Sequence, residues 1–202
     1  ARAGLGMLQA LGIYILLECA LYVLAVLLLI AVAVTFGKQR FGHFMSGLVP
    51  VQAVAASTQS SLATLPAMLD SAQLKLGFPA RIAGLVLPMA VSLFRITSPI
   101  QYLATACFIA WALGVQLTPA QLATGVVLSV LVSMGSVGLP GQAIFLATNL
   151  PVTSAMGLPI APLPVLMAVD AIPDVLATVG NVTGDMTATA VVAARSGDGE
   201  AG

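Results

Sequence analysis

The sequence contains very little charge. Only 7% of its 202 residues are Asp, Glu, Lys or Arg, while 59% are hydrophobic and the mean hydropathy is +1.08. A soluble domain carries about 25% charged residues because its surface must be hydrated. Seven basic and seven acidic side chains cannot cover a water-facing globule of this size. The composition therefore excludes an ordinary soluble domain and predicts an integral membrane protein, with the lipid bilayer as its main surroundings.

Cysteine clusters, basic patches and catalytic sets are also missing. Cys19 and Cys107 both lie in apolar runs, which argues against a disulfide framework and against a metal cluster. Zero net charge without a basic patch argues against a nucleic-acid partner. No Ser/His/Asp or Cys/His set is visible, so we expect no enzyme and no resident cofactor. The chain begins with Ala1-Arg2 rather than Met, so we expect a fragment.

The uncharged stretches predict membrane segments of two kinds. Residues 4–37, 81–115 and 160–195 are long enough to span as helices, the second one interrupted by prolines and Arg95. Residues 43–77 and 118–158 instead have two short apolar arms around a small polar tip. Because bare backbone in lipid costs several kcal/mol per unsatisfied group, we predict two re-entrant helical hairpins there. Kinked spanning helices are the alternative, and residues 196–202 are predicted to be a disordered tail.

The basic residues predict how these segments are oriented. With both stretches as hairpins, the first opens to the cytoplasm and the second to the exterior. The basic residues of the loops and of the C-terminal end then fall on the cytoplasmic side, and only Arg2 at the chain start is left outside; the cytoplasmic ones are Lys38, Arg40, Lys75, Arg81 and Arg195. The predicted fold is an all-α membrane protein with two oppositely oriented re-entrant hairpins. Such an inverted repeat is typical of secondary transporters, which bind their solute near the midplane.

A polar stripe marks the last predicted helix. Asp174, Thr178, Asn181 and Asp185 follow i, i+4, i+7, i+11 spacing and so share one narrow face. A carboxylate at membrane depth costs at least about 2.5–3.5 kcal/mol, so two of them predict a hydrophilic interior site. A polar seam closed by backbone donors of the hairpins is the alternative. Arg95 lies mid-span, and we expect it to pair with Asp185 or Asp174 rather than to snorkel.

Three further groups of polar residues allow a functional or a structural interpretation. The run Ser57-Thr58-Gln59-Ser60-Ser61 could present donors at a helix N-terminus to an anion, or could simply cap the hairpin. Asp170 is expected only to cap the final helix or to mark its interface. His43 is expected to be solvated in a cytoplasmic loop.

Three segments resemble one transporter family. Residues 60–66 (SSLATLP) are similar to the serine-rich first hairpin tip of the dicarboxylate/amino acid:cation symporters, the glutamate-transporter-like proteins, and residues 135–141 (GSVGLPG) to their second tip. Asp174, Thr178 and residues 181–185 (NVTGD) resemble the signature of the family's final helix. The order and spacing agree over essentially the whole chain, which looks like the C-terminal transport-domain half of such a protein.

The resemblance implies an elevator transporter in which the hairpins and two helices carry the solute across as one body. It implies that Ser61 meets a solute carboxylate, Asp174 an amino group, and Asn181 the solute backbone. Asp185 would ligate a cation. The substrate-binding candidates are Gln59, Ser60, Ser61, Ser98, Leu139, Asp174, Thr178 and Asn181, and the coupling candidates are Ser92, Arg95, Ser133, Met134, Ser136, Asn181 and Asp185. A homotrimer in the full-length protein and a bacterial inner membrane are also implied.

Departures from the family pattern alter the expected coupling. Residues 94–98 (FRITS) align with the family's Asn-Met-Asp-Gly-Thr motif, so both cation-binding side chains are lost. Ala177 stands where the family has an arginine for acidic side chains, and Gln59 where some members have arginine. We therefore predict a secondary active transporter of a small carboxylate solute, amino acid or dicarboxylate. The coupling ion would be Na⁺ or H⁺. Because the cation-binding side chains are lost, we expect weak or absent sodium dependence, with transport driven by protons, carried by Asp174, or by solute exchange. A solute-binding receptor-like protein and an anion channel are the alternatives.

Overall fold

A computed structural model describes the backbone of residues 2–93, 95–135 and 141–199 and the side chains of 6–93, 95–135 and 144–196. This portion of the chain is helical, without β-strands. The helices are α1 (Arg2–Thr35), α2 (Phe41–Thr58), α3 (Ser61–Asp70), α4 (Ala80–Leu93), α5 (Thr97–Ala112), α6 (Pro119–Gly135), α7 (Gly141–Ala155), α8 (Leu163–Val169) and α9 (Ala171–Gly199). A π-helical turn, Ser71–Lys75, follows α3.

Long apolar helices make the protein an integral membrane protein. Within the described residues, Gly6–Thr35 and Ala80–Ala112 are long and apolar enough to cross a bilayer, the latter as α4 and α5 together. The pair α8 and α9 qualifies as a third span if its 73° bend is counted within one segment. These three segments correspond to the stretches that hydropathy predicts as spanning.

Two pairs of shorter helices separate the long ones. Helices α2 and α3 pack against each other, as do α6 and α7. The first pair turns at Gln59, whose left-handed backbone (φ 50°) ends α2 while its N–H still donates to Ala55 O. Ser60 then begins α3 by accepting a hydrogen bond from Ala63 N–H through its side chain. The second tip falls at residues 136–140, outside the described portion of the chain.

Both long segments that follow a helix pair are broken. Helix α4 ends at Leu93 and α5 begins at Thr97, inside the span that is predicted to be interrupted. Helix α8 ends at Val169, and α9 leaves at a sharp angle, so residues 160–195 form two helices rather than the single one expected. Pro173 explains this break, because it has no N–H to donate to Val169 O. At the other end α9 continues to Gly199, into the predicted disordered tail.

Apolar packing forms two clusters that share α1. One lies among α2, α3, α4 and the later half of α9, with Phe44, Leu48, Met68, Leu87 and Met186 at its centre. The other lies among the first half of α1, α5, α7 and α8 and includes Tyr14, Tyr102, Phe108, Phe145 and Met156.

Candidate functional site

The polar stripe of α9 faces the interior of the protein. Asp174, Thr178, Asn181 and Asp185 are each at most 3% exposed. The helical period places them on one face, and α9 contacts α1, α2, α3, α4, α5, α7 and α8 around it. The stripe predicted from spacing is therefore a buried polar line on the central helix of the structure.

The break between α4 and α5 docks directly on this line. The Thr97 N–H donates to Asn181 Oδ1 at 3.0 Å, and Thr97 Oγ1 donates to Ala177 O at 3.0 Å. Gly180 makes this approach possible, because a Cβ atom there would lie 2.5 Å from Thr97 Cγ2. One free N–H of the broken helix is thus satisfied by an α9 side chain. The Asn181 Nδ2 group has no hydrogen-bond partner among the described residues, which leaves its donors available to a ligand.

The tip of the α2–α3 pair meets the beginning of α9. Gln59 Nε2 donates to Ala171 O at 3.5 Å, one turn before Asp174, and Ser60 and Ser61 are buried. The Ser60 side chain caps α3, as the structural interpretation of the serine run predicts. Further along, Gln52 Nε2 donates to Thr183 Oγ1 at 3.0 Å and ties α2 to α9. No sequence signal indicates this contact, since Gln52 belongs to no recognisable motif.

Arg95 acts on Asp185 through charge rather than through a direct bond. Arg95 is 8% exposed, and its guanidinium attracts the Asp185 carboxylate electrostatically. Neither oxygen of Asp185 has a hydrogen-bond partner in the described portion of the structure. The expected pairing therefore takes the form of two nearby opposite charges. The Asp185 oxygens remain open to a cation.

Three of the coupling candidates line one cavity. A cavity of about 420 Å³ lies between the α4–α5 break and the end of α6, and Arg95, Ser133 and Met134 contribute to its wall. The Ser133 hydroxyl is buried and donates to Val130 O at 2.7 Å. Met134 is 55% exposed, so it lies at the cavity's outer edge.

The remaining candidates divide into buried, exposed and undescribed residues. Ser98 is buried beside Thr97 at the start of α5. Ser92 was expected to help bind a cation, but it is exposed and its hydroxyl donates to Pro88 O at 2.8 Å, within its own helix. The structure thus does not place Ser92 among the buried polar residues around α9. Ser92 lies near the end of α4, on the face of that helix that points outward. Ser136 and Leu139 lie outside the described residues.

A second polar cluster was not predicted as a site. Glu18 on α1, Gln101 and Thr105 on α5, and Asp170 at the α8–α9 bend are all buried. Gln101 Nε2 donates to Asp170 Oδ1 at 2.9 Å, so Asp170 is held by a side chain of α5 and does more than cap a helix. The available signal was that Glu18 is the single charged residue between Arg2 and Lys38.

Known proteins of similar sequence identify the family of this chain. The sodium:dicarboxylate symporter family matches residues 1–195. Neutral amino acid transporter A of Homo sapiens is 34% identical over 150 residues, which is 74% of this chain and 28% of that protein. C4-dicarboxylate transport protein of Edwardsiella ictaluri (strain 93-146) is 34% identical over 199 residues, 96% of this chain and 45% of that protein. Excitatory amino acid transporter 2 of Homo sapiens is 31% identical over 149 residues, 74% of this chain and 26% of that protein.

The match extends across almost the whole chain, whereas the chain spans less than half the length of each of these relatives. Its buried α9 stripe, its two helix pairs and its two broken segments all fall within the matched residues. The chain belongs to the sodium:dicarboxylate symporter family.

Proposed function

We propose that this chain forms the solute-binding portion of a secondary active transporter for a small carboxylate solute, an amino acid or a dicarboxylate. The observation that carries the proposal is the convergence of three elements on the α9 stripe. The α4–α5 break bonds to Asn181, the α2–α3 tip reaches Ala171, and Arg95 acts on Asp185. Interrupted backbone around buried polar side chains is how secondary transporters hold their solutes.

The lengths of the short helices support re-entrant hairpins. Helix α3 has 10 residues and α7 has 15, which at about 1.5 Å per residue gives roughly 15 and 22 Å. A hydrocarbon core is about 30 Å thick, so neither helix would cross it alone. In the proposed arrangement the two hairpins enter from opposite faces, and the tip of the first one ends near α9. The two hairpins, α4–α5 and α8–α9 would then move as one body in an elevator mechanism.

The stripe is suited to a solute with an amino group and a carboxylate. Asp174 supplies a negative charge, Asn181 Nδ2 supplies donors that no described residue uses, and the start of α3 at Ser61 offers backbone donors. Residue 177 is alanine, so this position has no positive charge to bind an acidic side chain of the solute. A neutral or compact amino acid is therefore favoured over an acidic one. The names of the human relatives include neutral and excitatory amino acid transporters.

We further propose that coupling differs from sodium symport. Sodium needs oxygen ligands, and the break carries Ile96 and the permanent cation Arg95 instead of further carboxylates. A positive side chain near Asp185 reduces the attraction of that carboxylate for a mobile cation. Transport driven by protons or by solute exchange fits these residues better. The proposed setting is a homotrimer in a bacterial inner membrane.

Transport and binding assays on the purified protein in proteoliposomes test this function. Labelled neutral amino acid and labelled C4 dicarboxylate are offered to the protein and to Asp174→Asn. The variant should bind the amino acid roughly 10- to 100-fold more weakly, since a hydrogen bond to a charged group is worth about 1.5–3 kcal/mol. Dicarboxylate affinity should change much less, because that solute has no amino group.

Asp70→Asn is the matched control, since Asp70 is an exposed carboxylate at the end of α3 and the variant should behave like the parent protein. An equal loss of affinity for the amino acid and for the dicarboxylate in Asp174→Asn would contradict the proposed contact between Asp174 and the amino group. Saturable binding without uptake would favour a receptor-like protein, and a solute-independent anion current would favour a channel.

A further inference from the structure

Helix α1 turns a polar face toward the interior. Tyr14, Glu18 and Tyr22 are spaced by four residues, lie on one side of the helix, and are 0% exposed. The opposite side of α1 is apolar and exposed, with Leu16, Leu27 and Leu28 each more than half exposed. A helix that only spans the lipid does not require a buried glutamate. Placing a charged carboxylate at membrane depth costs at least about 2.5–3.5 kcal/mol, so Glu18 requires a compensating interaction.

A second carboxylate lies near that of Glu18. Asp170, at the bend between α8 and α9, lies within electrostatic range of Glu18, and Asp174 repels Asp170 in turn. The groups that act on Glu18 and Asp170 in the described structure are all acidic or neutral. They are Tyr14 and Tyr22 from α1, Gln101 and Thr105 from α5, and Asp174 from α9. The Cys19 thiol of α1, a neutral group, also lies within electrostatic range of Glu18. Two like charges in one buried place favour taking up a cation.

The hydrogen bonds of this cluster are incomplete. Thr105 Oγ1 donates to Glu18 Oε1 at 3.4 Å and is itself 3.2 Å from the Tyr14 hydroxyl, while Gln101 donates to Asp170 Oδ1. Glu18 Oε2, Asp170 Oδ2 and the Tyr22 hydroxyl have no hydrogen-bond partner among the described residues. The Tyr22 hydroxyl faces Glu18 from the same side of α1. The bare carboxylate oxygens are the places where a proton would bind.

The chemistry of the surrounding groups selects the cation. Gln101 and Thr105 turn N–H and O–H donors toward the carboxylates, whereas a metal ion requires lone pairs. Within the described residues, no group of three or more His, Cys, Asp or Glu side chains is placed to hold a metal ion. A proton needs only one oxygen, so it can bind Glu18 Oε2 or Asp170 Oδ2 while Glu18 Oε1 and Asp170 Oδ1 keep the hydrogen bonds that they accept.

We propose that Glu18 and Asp170 form a proton-binding site at the junction of α1, α5 and the α8–α9 bend. One proton from the aqueous phase converts one of the two carboxylates to a carboxyl group and removes the repulsion between them. The site stands one helical turn from Asp174, whose backbone N–H donates to Asp170 O at 2.9 Å. Resting on the proposed function, an ammonium group at Asp174 and a proton at Asp170 would influence each other's binding reciprocally.

Infrared difference spectroscopy of the purified protein in lipid nanodiscs tests the site without requiring transport. The carbonyl stretch of protonated carboxyl groups is followed by pH titration in sodium-free buffer, for the parent protein and for Glu18→Gln. The parent-minus-variant spectrum at neutral pH should contain a protonated-carboxyl band of about one group that titrates to carboxylate at higher pH. Asp170→Asn should move the midpoint of this titration, and the exposed control Asp70→Asn should leave it unchanged.

Two results would overturn the proposal. One is a difference spectrum in which Glu18 contributes only a carboxylate band at every pH. The other is loss of the protonated band on adding sodium chloride, but not on adding choline chloride, which would assign the pair to a metal cation.

Tyr22→Phe serves if Glu18→Gln does not fold. In the parent protein the Tyr22 hydroxyl has no hydrogen-bond partner among the described residues, so we expect its removal to leave the fold intact. Because this hydroxyl faces Glu18, its removal should shift the frequency of the protonated-carboxyl band. An unshifted band would place the protonated group elsewhere. If the proton site is confirmed while Asp174→Asn leaves solute binding unchanged, the site stands and the proposed function fails.

Discussion

Single residues decide how closely the α4–α5 break approaches α9. Gly180 allows Thr97 to donate to both Asn181 and Ala177, because no side chain separates the two helices. Gly184 has a similar role about one turn later, where a Cβ would lie 3.1 Å from Ile96 Cγ2. The glycines therefore matter for contact between elements rather than for backbone freedom.

Gly180→Ala is expected to destabilise the protein. The new Cβ would overlap Thr97 Cγ2, and overpacking of this kind costs about 1–3 kcal/mol. Thermal unfolding in detergent should show a lower midpoint, together with weaker solute binding. Adding Thr97→Ser removes the clashing methyl but keeps the hydroxyl donor, so the double variant should recover most of the loss.

Gly84→Ala is the control for this measurement. Nothing lies within 4 Å of a Cβ at Gly84, and alanine is favoured over glycine in a helix by about 1 kcal/mol. An equal loss of stability in both alanine variants would show that the Gly180 contact is not responsible.

At the scale of helices, the repeated order of a helix pair followed by a broken segment organises the chain. Helices α2 and α3 precede the α4–α5 break, and α6 and α7 precede the α8–α9 bend. Each break leaves backbone groups that need partners in the interior, and α9 supplies one through Asn181. If both helix pairs are re-entrant hairpins, the two ends of the α2–α3 pair lie on the cytoplasmic side of the membrane and the connection between α5 and α6 lies outside.

Cysteine labelling tests that orientation. In a background without Cys19 and Cys107, Gly42→Cys and Gln73→Cys stand at the two ends of the first helix pair, and Gln116→Cys lies between α5 and α6; all three positions are exposed. We expect an impermeant maleimide to label the first two from the cytoplasmic side and the third from outside. Labelling of positions 73 and 116 from the same side would contradict the two-hairpin arrangement.

At the scale of the whole molecule, coupling depends on the charge balance of the interior. Asp185 is fully buried with both oxygens lacking hydrogen-bond partners in the described structure, and Arg95 supplies the nearby positive charge. Removing either charge leaves the other less compensated. The cost should stay below the roughly 3–5 kcal/mol of breaking a directly bonded buried pair.

Arg95→Met is expected to lower thermal stability or to create a new requirement for sodium, because Asp185 then needs another cation. Asp185→Asn combined with Arg95→Met should partly restore stability, since neither charge remains. Solute binding measured with and without sodium at several pH values provides the readout. Arg81→Met, at an exposed arginine, controls for loss of charge alone. Strong sodium stimulation of binding in the parent protein, without any pH response, would refute the proposed coupling.

The sequence by itself determined the membrane environment, the positions of the apolar helices and the polar stripe, because these depend on composition and on periods along one helix. The family followed from the resemblance of three short segments, residues 60–66, 135–141 and 174–185. The sequence could not show that Ser92 is exposed, because the direction of its side chain depends on where in α4 the helix breaks. It also could not join Thr97 to Asn181 or Glu18 to Asp170, which are separated by more than eighty residues of chain. Only the packing of α1, α4, α5 and α9 brings those groups together. Buried polar side chains that are distant in sequence become partners because an unpaired polar group in the interior is costly.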